Sequence, residues 1–205
     1  SQFLVSLVKN FYDQCWRTFA TVLSFFFFGV GSLLLGLLML PLFPITVFGG
    51  GAAKQRVRAV VGSAMGFFVW IMKTLGVLDY QISGYENIPV NTPVLILANH
   101  PSLIDVVFLQ SIFPRAQCVV KRALYRNPFT HFTIKNAGYI SSSDPQDVLS
   151  DSVEAVRSGS SLIVFPEGTR TQAGALPAFK SGAAAVAIRS GCKIPVSYTH
   201  LTLPT

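Results

Sequence analysis

The sequence predicts an α/β fold: a central, mostly parallel sheet flanked by helices, preceded by an N-terminal pair of hydrophobic helices that binds a membrane. Three observations carry this expectation. No charged residue occurs from Phe19 to Ala53. After Asp79, short apolar runs of strand length alternate with segments whose apolar residues recur at helical spacing, the pattern of strands joined by helices. The chain is 51% hydrophobic and only 12% charged, against roughly 25% charged in an ordinary soluble domain.

Phe19 to Leu40 would extend about 33 Å as a helix at 1.5 Å per residue, enough to cross a hydrocarbon core. Pro41 and Pro44 end or kink it, Gly49-Gly50-Gly51 supplies a flexible turn, and Lys54, Arg56 and Arg58 form a basic flank. Lys9 and Arg17 precede the helix, so the orientation stays open. Ala59 to Met72 is of a length that suits a buried or interfacial helix, and its Gly62-Ser63-Ala64-Met65-Gly66 would let another helix approach closely. Residues 1–78 are therefore expected to anchor the chain. Because the chain opens on Ser1, its true start is expected upstream, and the first apolar stretch is too long for a cleavable signal peptide.

Residues 79–196 read as the α/β domain. Val94 to Ala98, Gln117 to Val120, Gly138 to Ile140 and Leu162 to Phe165 are expected strands. Ser102 to Ser111, Gln146 to Ser158 and Ser181 to Ser190 are expected helices, the second carrying Val148, Leu149, Val153 and Val156 at helical spacing. Loops of such sheets carry the chemistry. Residues 197–205 form an atypical tail that reads as an artefact, with the domain truncated at its C-terminus.

The net charge is +7 and the isoelectric point about 9.6. The apolar excess turns this toward anionic lipid head groups and phosphorylated substrates. Nucleic acid is not expected, because no run of Lys and Arg interleaves with aromatics. Cys15, Cys118 and Cys192 are odd in number and lack metal or redox spacing, so they read as free thiols, Cys15 and Cys118 as small buried hydrophobes. His100, His131 and His200 stand apart from other ligating residues, so no metal is expected, and His131 reads as a packed or surface residue.

Two segments carry candidate chemistry. In Asn99-His100-Pro101-Ser102-Leu103-Ile104-Asp105, Pro101 biases His100 toward an extended conformation at a strand end, and Ser102 can open the helix as its cap. Asp105 then falls in the first turn, able to fold back toward His100. A neutral imidazole, with a reference pKa of about 6.5, suits removal of a hydroxyl proton, and a carboxylate on its other nitrogen orients the ring. Ser102 to Asp105 also has the form of a capping box, in which Asp105 would only satisfy a backbone donor. The second segment, Phe165-Pro166-Glu167-Gly168-Thr169-Arg170, follows a buried strand. Gly168 permits close backbone approach to a ligand, Arg170 offers a fork to a phosphate, and Glu167 can orient that Arg or bind a hydroxyl. A bare turn with a solvated ion pair is the plainer alternative.

Together these segments resemble the glycerolipid acyltransferases of the lysophosphatidic acid acyltransferase type. The first family motif, N-H-x-x-x-x-D, is matched by Asn99, His100 and Asp105, and the third, F-P-E-G-T-R, at every position from Phe165 to Arg170. The resemblance covers Tyr85 to Val196. It implies His100 as general base with Asp105 as its partner, and Glu167, Gly168, Thr169 and Arg170 at the acceptor-phosphate site. Lys121 and Leu124 fit the opening of the second motif, Gly138 and Ile140 its later part, but Ser141, Ser142 and Ser143 replace its basic residue. Lys121, Arg122 or Lys180 would supply that charge, unless each is simply a solvated surface cation. Ile194-Pro195-Val196 begins the fourth motif.

The resemblance implies acyl transfer from acyl-CoA or acyl carrier protein, as co-substrate with no bound cofactor, to a lysophospholipid such as 1-acylglycerol 3-phosphate, giving phosphatidic acid. The implied setting is a bacterial inner membrane, with the catalytic domain cytoplasmic. Another lipid acceptor, such as a lyso-aminolipid, or a non-catalytic membrane-anchored lipid-binding protein, is the alternative. A serine hydrolase is disfavoured because no G-x-S-x-G elbow is present.

Overall fold

The computed structural model describes residues 2–83, 86, 88–89, 92–99, 102, 104–167 and 181–197. The order is α1 (Gln2–Met39), α2 (Phe43–Phe48), α3 (Gly50–Thr74), β1 (Leu95–Ala98), α4 (Ile104–Ile112), β2 (Gln117–Val120), α5 (Arg122–Arg126), α6 (His131–Ala137), β3 (Ile140–Ser141), α7 (Pro145–Arg157), β4 (Leu162–Val164), α8 (Gly182–Ser190) and β5 (Val196–Ser197). The five strands lie in the order β3-β2-β4-β1-β5, and every described pairing is parallel.

Alternation along each strand divides the core into two faces. Leu95 and Leu97 of β1, Val119 of β2, and Leu162 and Val164 of β4 point to the side covered by α7 and α8, where they meet Val153, Val156, Val186 and Ala187. Val94, Ile96 and Ala98 with Ile163 point the other way, onto Leu109 of α4. Cys118 and Val120 lie on that same side, against α1, α3 and α6. A parallel sheet must be covered on both faces, and the adjoining strands β1 and β4 are correspondingly apolar throughout.

The N-terminal helices differ from expectation in one important respect. Lys54, Arg56 and Arg58 do not form a flank between two segments. They lie inside α3, which runs unbroken from Gly50 to Thr74 after a reversal at Gly50, whose φ is +65°. Arg58 is only 2% exposed. Its Nε donates to the Arg115 carbonyl at 3.0 Å, one terminal nitrogen to the Ala137 carbonyl at 3.0 Å and the other to Ser160 Oγ at 3.2 Å. Three loops at the N-terminal edge of the sheet are thereby tied to α3. The reason is tertiary: a guanidinium is the one side chain that reaches three acceptors in a plane.

Close packing of α3 on α4 uses the small residues noted in the sequence. A Cβ at Gly62 would stand 2.3 Å from Pro114 Cα and 2.9 Å from the Gln110 carbonyl oxygen, whereas one at Gly66 would meet only Ser111 Cβ at 3.7 Å. Gly62→Ala is therefore expected to cost roughly 1–3 kcal/mol of stability by overpacking against backbone. Gly66→Ala should be neutral or slightly stabilising through helix propensity. Thermal unfolding in one detergent checks the pair, and equal midpoints would refute the packing account.

Helix α1 ends before Pro41, leaving carbonyls without helical partners. Asn136, fully buried in α6, donates to the Met39 carbonyl at 3.1 Å and to the Phe132 carbonyl at 2.8 Å, and accepts from Thr46 Oγ1 of α2. The outer side of α1 carries exposed Phe19, Phe25, Phe26, Leu34, Leu37 and Leu38. Phe11–Met39 and Gly50–Thr74 are two helices long and apolar enough to cross a membrane, which points to membrane association. Cys15, expected to be buried, is exposed on α1 because no element among the described residues covers it, whereas Cys118 is buried. Helices α5 and α6 were not expected. At the chain's other end, Ser197 pairs with Ala98, extending the sheet one residue past Val196, and residues 198–205 lie outside the described part.

Candidate active site

Strand β1 delivers the first segment. It runs through Ala98 and the described backbone continues to Asn99, after which the chain resumes as α4 with Asp105 in its first turn. Asp105 is completely buried. Its Oδ2 accepts from the Ser102 backbone N–H at 2.6 Å and its Oδ1 from Ser102 Oγ at 2.9 Å. Asp105 thus satisfies the Ser102 backbone donor as the capping-box pattern foresaw, while Ser102 Oγ donates to the carboxylate, and the two bonds hold it in place at the start of α4. A buried carboxylate fixed by two donors is orientated before any ligand arrives. His100 lies outside the described residues.

Strand β4 delivers the second segment. Leu97 of β1 is registered with Val164 of β4, so the chain leaves both strands side by side at the C-terminal edge of the sheet. Phe165, Pro166 and Glu167 follow β4 there, and Glu167 is 7% exposed. Gly168, Thr169 and Arg170 lie outside the described residues, as does Lys180. From β1 the chain turns to the face carrying α4. From β4 it continues to α8 on the opposite face. Neighbouring parallel strands whose connections depart to opposite faces leave a crevice between their carboxyl ends, the position at which ligands bind in open α/β sheets.

Strand β2 flanks β4 on its other side. Lys121 follows it as an exposed residue at the start of α5, on the same edge of the sheet. Ser141 ends β3 beside it, Ser142 N–H donates to the Val120 carbonyl at 2.9 Å, and Ser141 Oγ and Ser143 Oγ share a hydrogen bond of 2.7 Å. The serines that replace the expected basic residue are thus at the correct edge, but uncharged. Arg122 is exposed on α5. His131 is a packed residue, its Nδ1 against the Tyr125 carbonyl and its ring edge-on to Phe132. Burial pushes the Cys118 thiol up to about 12, which removes it as a nucleophile near neutral pH. What the sequence reading missed is the support: Arg58 and Asn136 each make several buried hydrogen bonds, a role with no local sequence signal.

With that geometry in hand, comparison with known proteins decides the family. A model of the family described as Acyltransferase matches residues 79–199. The chain belongs to the acyltransferase family. It is similar to the 1-acyl-sn-glycerol-3-phosphate acyltransferase of Pseudomonas aeruginosa, 29% identical over 185 residues, which cover 87% of this chain and 70% of that one. It is also similar to the enzyme of that name from Saccharomyces cerevisiae, 34% identical over 138 residues, 63% of this chain and 45% of the other. Of the chloroplastic Arabidopsis thaliana enzyme it spans only 34% of the length, at 32% identity. Among solved structures, the 1-acyl-sn-glycerophosphate acyltransferase PlsC from Thermotoga maritima superposes with a TM-score of 0.57 at 25% identity, covering 80% of this chain and 72% of that one. The chain is an acyltransferase of the phospholipid-biosynthesis kind, with a parallel sheet, flanking helices and two long apolar N-terminal helices.

Proposed function

We propose that this acyltransferase esterifies the free hydroxyl of a membrane lysophospholipid, 1-acylglycerol 3-phosphate in the first instance, with an acyl group taken from acyl-CoA or acyl carrier protein. The observation that carries the reading is the parallel pairing of β1 with β4. It gathers at one sheet edge two segments that stand far apart in the chain, one with a buried, pre-oriented carboxylate. In this reading His100 takes the acceptor hydroxyl proton as its oxygen attacks the thioester carbonyl. Asp105 orients the imidazole, and the proton passes to the departing thiolate as the ester forms. Gly168, Thr169, Arg170 and Lys121 receive the acceptor phosphate, with Arg170 as the fork and Glu167 orienting it within the same site. Residues 1–78 anchor the enzyme and 79–196 form the catalytic unit, on the cytoplasmic side of a bacterial inner membrane where both donors are made.

The uncharged Ser141 to Ser143 beside Lys121 favour a second reading, in which the acceptor head group carries less negative charge than a phosphate monoester. One experiment separates the two. The full chain in detergent is offered both donors against a panel of lysolipids, with thiol release as the readout. If the acceptor is a phosphate monoester, Arg170→Ala should lower kcat/KM for that class by roughly 10- to 100-fold, the worth of one charge-assisted contact, and spare neutral acceptors. A uniform loss across the panel would remove Arg170 from head-group recognition. Absence of thiol release with every acceptor would overturn the proposed reaction.

A further inference from the structure

Charge is unevenly distributed over the two helical layers. Between Asp13 and Asp79, and again between Asp105 and Asp144, no acidic residue occurs. These stretches supply most of the layer formed by α1, α3, α4, α5 and α6. Four of the nine carboxylates, Asp144, Asp147, Asp151 and Glu154, instead lie at the cap or along α7, in the opposite layer.

Within the acid-free stretch, α5 and the turn after it form an exposed strip. Lys121, Arg122, Arg126 and Pro128 are exposed, together with two apolar side chains, Leu124 at 39% and Phe129 at 49%. The strip is fastened to the end of α1. Tyr125 packs on the cluster that contains Met39 and Leu35, and its hydroxyl donates to the Tyr139 carbonyl. The Phe129 carbonyl oxygen lies 3.3 Å from the Cβ position of Gly36. On either side of Gly36, α1 exposes Leu33, Leu34, Leu37 and Leu38. Apolar surface on α1 therefore adjoins Phe129, and Leu124, Arg122 and Arg126 are exposed in the same short strip.

We infer that the strip from Lys121 to Phe129 is a bilayer-contact surface that seats the C-terminal edge of the sheet on anionic phospholipid head groups. The inference rests on the reading of the chain as a membrane-bound lipid acyltransferase and deepens it. Apolar side chains interleaved with Lys and Arg are the composition of an interfacial segment: the former enter the acyl boundary while the latter meet phosphates. The cations alone would also suit an acidic protein, but such a partner gives no account of exposed Leu124 and Phe129 in a strip fastened beside an exposed apolar stripe. Because Lys121 follows β2 directly, the same contact holds the candidate site at the membrane surface, where a lysolipid acceptor resides.

The test uses the full chain, with Trp16→Phe and Trp70→Phe leaving Phe129→Trp as the sole indole. In mixed phosphatidylcholine and phosphatidylglycerol vesicles, its emission is expected to be quenched by brominated acyl chains. Residues 1–78 hold every variant in the bilayer, so quenching reads the seating of the strip: each basic residue near an anionic surface contributes roughly fivefold, and Arg122→Gln with Arg126→Gln should lower the ratio of seated to unseated strip on the order of thirtyfold. Little change is expected in pure phosphatidylcholine, and the double Lys variant should retain the quenching. Absence of quenching, or an equal loss in neutral vesicles, would overturn the inference. So would a glutamine pair that keeps its response to phosphatidylglycerol but loses rate only with acyl carrier protein as donor, which would assign the strip to that protein. Quenching needs no turnover, so a failure of acyl transfer in the same preparation counts against the proposed function and not against the strip.

Discussion

Replacing His100 with alanine is expected to slow thiol release by roughly 10²- to 10⁴-fold, the usual contribution of a positioned general base, with the unfolding midpoint unchanged. Turnover that persists at the parent rate would eliminate the mechanism. The informative companion is Asp105→Asn. Asp105 accepts two hydrogen bonds from Ser102, and an amide oxygen can still accept the backbone one. If the carboxylate only caps α4, this variant should lose on the order of 1 kcal/mol of stability and keep its rate. If it orients His100, the rate should fall by a factor approaching that of His100→Ala, because an amide no longer selects the productive tautomer. Ser102→Ala removes the hydroxyl bond alone and should change kcat only a few-fold. Parallel measurement of kcat and midpoint for the three variants separates capping from catalysis.

Arg58→Ala is expected to produce the largest loss of stability. It would strand the carbonyls of Arg115 and Ala137 and the hydroxyl of Ser160, and each closed-off acceptor without a donor costs about 1–3 kcal/mol. Removing a buried charge also relieves its desolvation penalty, which acts in the opposite direction. The net loss should be on the order of 3 kcal/mol, a fall of roughly 6–12 °C in midpoint for a chain of this size. Arg58→Met keeps most of the volume without the donors. A methionine variant as stable as the parent would mean that the hydrogen bonds contribute nothing net and that Arg58 acts by filling space. If the bonds matter, hydrogen exchange should rise first in the loops around Arg115, Ala137 and Ser160 in both variants, before global unfolding.

Several elements were legible from the sequence because their signal is local. Strand β2 spans Gln117 to Val120, as its apolar run between turn residues required. Helix α7 carries Val153 and Val156 on its buried side, as their spacing required, and opens on Asp144, whose side chain accepts from the N–H groups of Gln146 and Asp147. Helices α5 and α6 were not legible. They have only 5 and 7 residues, too few for a helical period, and short isolated helices are not stable in water. Tyr125, Ile134 and Ala137 hold them by packing on α1 and α3. Lys54, Arg56 and Arg58 were misplaced for a related reason. Three closely spaced cations read as a water-exposed flank, and nothing nearby in sequence shows that loops from three distant segments would converge on Arg58.

By itself the sequence determined the alternation of strands and helices, the apolar N-terminal segment, and the residue types in the two candidate loops, since each depends on periodicity and composition over a few neighbours. The tertiary structure decided that β4 inserts between β1 and β2, that α3 docks along α4 through Gly62, and that Asp105 is buried. Those outcomes depend on which apolar faces cover one another across the whole chain, and such long-range burial leaves no trace in any single segment.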